Sequence, residues 1–199
     1  MLRRAFDLLA ASAGLVLASP VLLVAMLVIP LESRGSPFYR QRRVGRHGHE
    51  FEVIKLRTMV SGAEGMGAGL AVTEDDERIT RLGSFLRRFS LDELPNLVNV
   101  LRGEMAIIGP RPTVPEQVER YTPRQLGRLA VRPGVTGWAQ VNGRAGLPWD
   151  ERIELDLWYI ENRSLRLDAE ILRRSAAIVA GGEGLYREGS PAWRDPDER

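Results

Sequence analysis

The 199-residue sequence predicts an α+β chain, mostly helical and tied to a membrane at its N-terminus, and three observations carry that prediction. Leu8 to Leu31 is a run of 24 residues without a charge. Two segments of strand character, Phe38 to Arg42 and Glu50 to Leu56, flank the turn-forming Gly45-Arg46-His47-Gly48. Most of the remainder places apolar residues at helical spacing. Hydrophobic residues make up 44% and charged residues 27%, an ordinary globular balance that excludes a disordered or fibrous chain. Lys+Arg is 28 against Asp+Glu 26, so the net charge is only +2, and Lys55 is the sole lysine. There is no cysteine, which excludes a disulfide framework, a thiol nucleophile and a cysteine-based zinc site. Both histidines fall in one short segment, which argues against a histidine-rich metal site.

The apolar run is long enough to span a bilayer, which takes roughly 20 residues. It is longer than the apolar core of about 7–15 residues in a secretory leader, so it reads as an anchor. Ser19-Pro20 stands at its middle. Proline removes a backbone donor and clashes with the preceding turn, so a kink or break is expected, with the serine hydroxyl satisfying a freed carbonyl. Each half is then about 18 Å of helix, too short to cross but long enough to reach mid-membrane and return. Basic residues flank both ends, Arg3 and Arg4 before, and Arg34, Arg40, Arg42, Arg43 and Arg46 after. The positive-inside tendency places both flanks in the cytoplasm. A re-entrant hairpin satisfies it and a spanning helix does not. A kinked single-pass anchor stays open, because prolines are common in such helices.

Beyond the anchor, Phe38 to Thr58 reads as a β-hairpin. Ser61 to Leu70 holds four glycines and reads as a mobile loop. Asp75 to Arg88 suits a short helix. Leu91, Leu94, Val98 and Leu101 predict a helix that follows Ser90 and stops at Gly103. Met105 to Ile108 is a short apolar run leading into Gly109-Pro110-Arg111-Pro112. Pro115 to Ala130 is expected as a surface helix, Arg132 to Gly137 as a turn-rich loop, and Trp149 to Asn162 and Asp168 to Ala180 as amphipathic helices. The tail from Gly181 is polar. The division that follows is residues 1–34 as membrane segment, 35–180 as catalytic domain and 181–199 as tail.

Three segments can carry chemistry. Ser90-Leu91-Asp92-Glu93-Leu94-Pro95 has a structural explanation, because Ser-x-x-Glu is a capping box and acidic residues favour a first helical turn. It also has a chemical one. A carboxylate such as Asp92 can accept a phosphoryl group, adjacent carboxylates suit Mg²⁺, and a helix N-terminus favours anionic phosphate. In Gly109-Pro110-Arg111-Pro112, two prolines limit the backbone freedom of Arg111 and so hold a guanidinium in place for bidentate phosphate recognition; a plain turn is the alternative. Lys55, Arg57, Arg87, Arg88 and Arg144 are further cations that either meet phosphate or stand in water. Gly45-x-x-Gly48 is too weak to read as a nucleotide loop, and there is no Walker lysine motif or strand-linked GxGxxG.

Together these stretches resemble the bacterial initiating sugar transferases, the monotopic phosphoglycosyl transferases. The resemblance rests on Arg4-x-x-Asp7, Ser19-Pro20, Gln41 to Gly45, Phe51 to Met59, Arg78 to Gly83, Leu91 to Pro95, Asn99 to Met105, Gly109 to Pro112, Arg132 to Trp138 and Asn142 to Arg144, in that order. It runs from about Arg3 to about Ala180, in the minimal form with one membrane segment. Asn96 stands where glutamine is common and Ala106 where serine is common; neither is an acidic or phosphate-binding position.

The resemblance implies a monotopic α+β membrane protein with a re-entrant helix-break-helix at Ser19-Pro20, a β-hairpin and interfacial amphipathic helices. It implies transfer of a sugar-1-phosphate from a UDP-sugar to undecaprenyl phosphate, with UMP released, by a ping-pong route through an Asp-Glu dyad with Mg²⁺. Carried onto this chain, Asp92 is the nucleophile and Glu93 its partner in placing the metal or managing a proton. Arg111, between Pro110 and Pro112, meets the nucleotide or its phosphates, and Arg87 and Arg144 contact phosphate; Lys55, Arg57 and Arg88 are weaker candidates. The implied location is the bacterial inner membrane with the catalytic domain on the cytoplasmic face, among inner-membrane lipids, with a homo-oligomer left open. A membrane-anchored scaffold without catalysis and a prenyl-phosphate phosphatase are competing readings. A nucleic-acid partner is not expected, since the basic stretch Arg40 to Arg46 belongs to no recognition module. The sugar and the pathway are not legible in one chain.

Overall fold

A computed structural model describes residues 2–66, 76–143 and 146–181. The chain opens with one long helix, α1 (Leu2–Glu32), followed by the antiparallel hairpin β1 (Phe38–Val44) and β2 (Glu50–Leu56). Helices α2 (Arg81–Arg88) and α3 (Asn96–Arg102) come next, then β3 (Ala106–Ile108), the short α4 (Pro115–Val118), β4 (Gly134–Thr136), the short α5 (Trp138–Val141), α6 (Trp149–Glu161) and α7 (Leu165–Gly181). The mostly helical α+β class with a hairpin is thus as predicted.

Helical structure in α1 runs through Ser19-Pro20, with Pro20 and Pro30 both inside it. Pro20 has no N–H to give the carbonyl four residues back, and Ser19 Oγ donates to that carbonyl, Val16 O, at 2.8 Å. Ala11, Ala18, Ala25 and Ile29 are buried. Leu9, Leu17, Leu23, Leu27 and Leu31 are exposed, so apolar surface faces away from the rest of the protein. The helix is long and apolar enough to cross a membrane.

Both ends of α1 are fastened to the same folded body. Near its start Arg4 donates to Val100 O (2.7 Å) and Leu101 O (3.0 Å), and Asp7 accepts from Ile107 N (2.9 Å). At its end Glu32 accepts from Arg81 N (2.9 Å) and Leu82 N (3.1 Å) at the N-terminus of α2, where a carboxylate is favoured. Between these ties the apolar contacts change partner. Ala11 and Leu15 pack with Val53, Leu97, Val100 and Met105, while Leu22, Ala25 and Ile29 pack with Leu56 and Leu86.

The hairpin forms as expected, its turn closing through a short 3₁₀ segment at Arg46–Gly48. Four local readings change. The helix expected over Asp75 to Arg88 covers only Arg81–Arg88, because Thr80 caps it, its hydroxyl accepting from Gly83 N at 3.0 Å. The helix after Ser90 begins late, because Leu91–Glu93 is a 3₁₀ turn and α3 starts only after Pro95; it does end at Gly103, whose φ of +85° suits glycine. The single surface helix over Pro115 to Ala130 does not exist. Pro123 cannot continue α4, and a new turn starts where Thr122 and Gln125 exchange bonds, Gln125 Oε1 accepting from Thr122 N at 3.0 Å and Thr122 Oγ1 from Gln125 N at 3.3 Å. The Arg132–Gly137 stretch contains a strand, β4, parallel to β3. Gly109 and Gly134 permit that pairing, since a Cβ on Gly134 would lie 2.1 Å from Gly109 N. The first part of the glycine-rich loop, Ser61 to Met66, carries a short 3₁₀ turn at Ala63–Gly65, while residues 67–70 and the tail beyond Gly181 lie outside the described residues.

Candidate active site

Side chains from β2, the turn before α3 and the segment after β3 converge on one point. On β2 the period of two puts Phe51, Val53 and Lys55 on one face. Val53 enters the core beside Val100, and Lys55 follows it inward at the core's edge. Asn99 of α3 fixes this registry: fully buried, it accepts from Ile54 N (3.2 Å) and donates to Glu52 O (2.6 Å) and Glu104 Oε2 (2.7 Å).

Asp92 and Glu93, in the turn ahead of α3, are both buried, at 3% and 8% exposure. The capping box is not formed. Ser90 has φ +54° and makes no side-chain cap bond, and the Glu93 carboxylate points elsewhere. Its Oε1 accepts from Lys55 Nζ at 2.6 Å and from Arg111 Nη2 at 2.9 Å. Asp92 Oδ1 and Asn96 Oδ1 are buried and accept no hydrogen bond among the described residues. Buried oxygens of that kind are costly unless something fills their lone pairs.

The two carboxyls are driven apart. Burial pushes Asp92 up to about 6, the Glu93 charge adds to this, and Lys55, Arg87 and Arg111 oppose it. Glu93 is held well below the usual carboxylate range: burial works against its charge, but Arg111 and Lys55 outweigh that through charge and hydrogen bonds. Burial lowers Lys55 despite Glu93 beside it. The result is one committed anion and one neighbour poised near neutrality, the pattern of acid–base or nucleophilic sites.

The Pro110-Arg111-Pro112 segment is gripped along its backbone. Four successive carbonyls accept bonds: Pro110 O from Gly134 N (2.8 Å), Arg111 O from Arg128 Nη2 (3.0 Å), Pro112 O from Arg43 Nη1 (3.2 Å) and Thr113 O from Val44 N (2.8 Å). The Arg111 side chain itself keeps 38% exposure, so it bridges Glu93 to the open side of the site. Arg43, Lys55, Glu93, Asn96, Arg111 and Pro112 line one small pocket.

Glu93, Lys55, Arg111 and Pro112 therefore share one pocket, whereas Asp92 and Pro110 are not among its lining residues; Asp92 lies buried beside it, near enough for the charges of Lys55, Glu93, Arg87 and Arg111 to act on it. Arg57 is used elsewhere, donating to Arg34 O (2.9 Å) and to Ser33 O at the end of α1. Arg88 is exposed and stands over the Phe89 ring at 5.6 Å. Arg144 lies outside the described residues. Arg43 was legible only as a flanking charge; its place in the pocket depends on β1 pairing with the proline segment. Burial and neighbouring Arg111 bring it down to about 10, still charged at neutral pH.

Among the described residues no group of three or more His, Cys, Asp or Glu side chains could cage a metal. Mg²⁺ needs no such cage, being held by one or two carboxylates with waters and substrate phosphate. The unpartnered Asp92 Oδ1 beside Glu93 fits that requirement.

Residues 1–182 match the family model described as bacterial sugar transferase. The chain is 40% identical over 187 residues to "Uncharacterized sugar transferase EpsL" of Bacillus subtilis (strain 168), covering 94% of this chain and 91% of that protein. It is 38% identical over 200 residues to "Exopolysaccharide production protein ExoY" of Rhizobium meliloti (strain 1021), covering 94% and 88%. It is 36% identical to "Undecaprenyl-phosphate galactose phosphotransferase" of Salmonella typhimurium, covering 93% of this chain but 42% of that longer protein.

Proposed function

Because the chain belongs to the bacterial sugar transferase family, we propose that it moves a sugar-1-phosphate from a UDP-sugar to undecaprenyl phosphate, the first membrane step of glycoconjugate synthesis. The observation that carries this reading is the dyad: a buried Asp92 with a free carboxylate oxygen next to a Glu93 clamped by Lys55 and Arg111. An Asp92 oxygen bonds to the phosphorus that bears the sugar, and the bond from that phosphorus to the bridging oxygen breaks, releasing UMP. An oxygen of undecaprenyl phosphate then attacks the same phosphorus and Asp92 leaves as a carboxylate. Arg111 and Arg87 spread the phosphate charge. Lys55 keeps Glu93 ionised and oriented. Asp92 and Glu93 would hold Mg²⁺, which supplies further neutralisation of the diphosphate.

The reading is tested by UMP release from purified protein in detergent with undecaprenyl phosphate, Mg²⁺ and a panel of UDP-sugars. Sustained release that needs the lipid acceptor and stops with EDTA is expected, with no more than about one UMP per protein molecule released when the acceptor is left out. UDP-sugar hydrolysis without an acceptor would instead identify a phosphatase.

The same reading puts the protein on the cytoplasmic face of the inner membrane, with α1 dipping into one leaflet and bending at Pro20. It is supported by the ties at both ends of α1 to one folded body, which a transbilayer path would tear apart. The cysteine-free sequence allows a clean check. Single cysteines from Ala5→Cys and Ser36→Cys are expected to react with an impermeant maleimide from the same side of sealed vesicles; opposite sides would sink the hairpin. Pro20→Leu, by straightening the helix, is expected to shift a fraction of molecules to opposite-side labelling.

A further inference from the structure

We propose that Arg128, anchored by Asp156, is a positioning residue that sets where the Arg111 guanidinium stands in the site; this rests on the nucleotide-binding role given to Arg111 above. Arg128 is 4% exposed and Asp156 1%. All three guanidinium nitrogens are engaged. Nε donates to Asp156 Oδ2 at 2.7 Å, Nη1 to Thr113 Oγ1 at 2.8 Å and to Tyr121 OH at 2.5 Å, and Nη2 to Arg111 O at 3.0 Å. One face covers the Trp149 ring at 5.4 Å.

A buried ion pair is a poor means of stabilising a fold, since apolar packing of equal volume serves as well or better. What it supplies here is a rigid fork of donors. That fork grips Arg111 and Thr113, on either side of Pro112, and Arg128 is not itself among the residues that line the pocket. The anchor, Asp156, comes from α6, a separate helix. Fixing the backbone at Arg111 fixes the origin of its side chain, which must reach Glu93 and the substrate phosphates together. Misplacement by about 1 Å at a positioning group can cost on the order of a hundredfold.

The test is UMP binding by calorimetry, with the full chain in detergent and UMP as probe. Arg128→Lys keeps the charge opposite Asp156 but loses the fork. It is expected to bind UMP on the order of tenfold more weakly while melting close to wild type. In an Arg111→Ala background the same change is expected to cost nothing more, because its route of action is gone. Should Arg128→Lys fold poorly, Thr113→Val cuts one link, leaves the ion pair and is expected to show a smaller loss with the same dependence on Arg111. Wild-type affinity in these variants, or a loss that multiplies that of Arg111→Ala, overturns the proposal. If Arg111→Ala alone binds UMP normally, the nucleotide role of Arg111 is what fails.

Discussion

Asp92→Asn is expected to abolish UMP release, by roughly 10⁴-fold or more, the scale on which loss of a covalent nucleophile acts. The amide is close in shape, so the change removes the proposed nucleophile and little else. The wild-type rate should fall on the acid side, because only the ionised carboxylate attacks; burial raises that carboxyl to about 6 in the metal-free protein, and bound Mg²⁺ would draw the midpoint below that. Stability moves the other way. A carboxyl whose folded value is raised contributes stability that is present below its ordinary value of 3.8 and lost as pH rises through about 6. At pH 7 the wild type therefore carries the cost of a buried charge that the asparagine variant lacks. The variant should melt no lower than wild type at pH 7, and the gap should close toward pH 4. Dead but fully folded protein is the expected result; an Asp92→Asn variant that still released UMP would remove the covalent route through Asp92, and one that released none yet complemented a null strain fully would favour a scaffold.

Glu93→Gln should be the more damaging change to the fold. Lys55 and Arg111 both donate to one oxygen of this carboxylate. Neutralising it leaves a nearly buried ammonium facing an amide, and breaking a buried pair in this way costs about 3–5 kcal/mol. For a chain of this size about 3 kcal/mol corresponds to a drop of roughly 6–12 °C in melting temperature. Tryptophan fluorescence during a thermal ramp would read it. The deficit has a defined pH window. Glu93 lies below its ordinary value of 4.5 in the folded state, so its stabilisation is full above that pH and lost as acid protonates it. Wild type and Glu93→Gln should thus differ at pH 7 and converge in strong acid. Equal melting at pH 7 would mean that the clamp on Glu93 contributes nothing.

Much of the fold was legible because its signals are local. Period-two runs around a glycine turn make a hairpin wherever they occur, Gly103 ends a helix by its own backbone freedom, and 24 uncharged residues mark α1. The acidic pair and the proline-flanked arginine stand out for the same reason: each is a few adjacent residues whose chemistry needs no partner to be noticed. Where local rules competed, sequence reasoning failed. Ser-x-x-Glu at Ser90 reads as a cap, yet Lys55 and Arg111 offer Glu93 a stronger, charged partnership than a backbone N–H does. Pro123 split a stretch whose spacing resembled one helix.

The sequence by itself determined the class of the fold, the apolar entry helix and the acidic pair and proline-flanked arginine proposed for phosphoryl chemistry, since these follow from residue type and short-range spacing. Tertiary structure alone decided which cations serve them. Lys55, Arg43 and Arg111 reach one pocket through strand pairing and the β3–β4 contact, while Arg57, in an equally basic stretch, is spent on the carbonyls at the end of α1. Arg128 and Asp156 stand 28 positions apart in unremarkable sequence and meet only because α6 packs on the Gln125–Ala130 turn. An arginine's role is set by the acceptors that folding brings within about 3 Å, and no one-dimensional pattern records them.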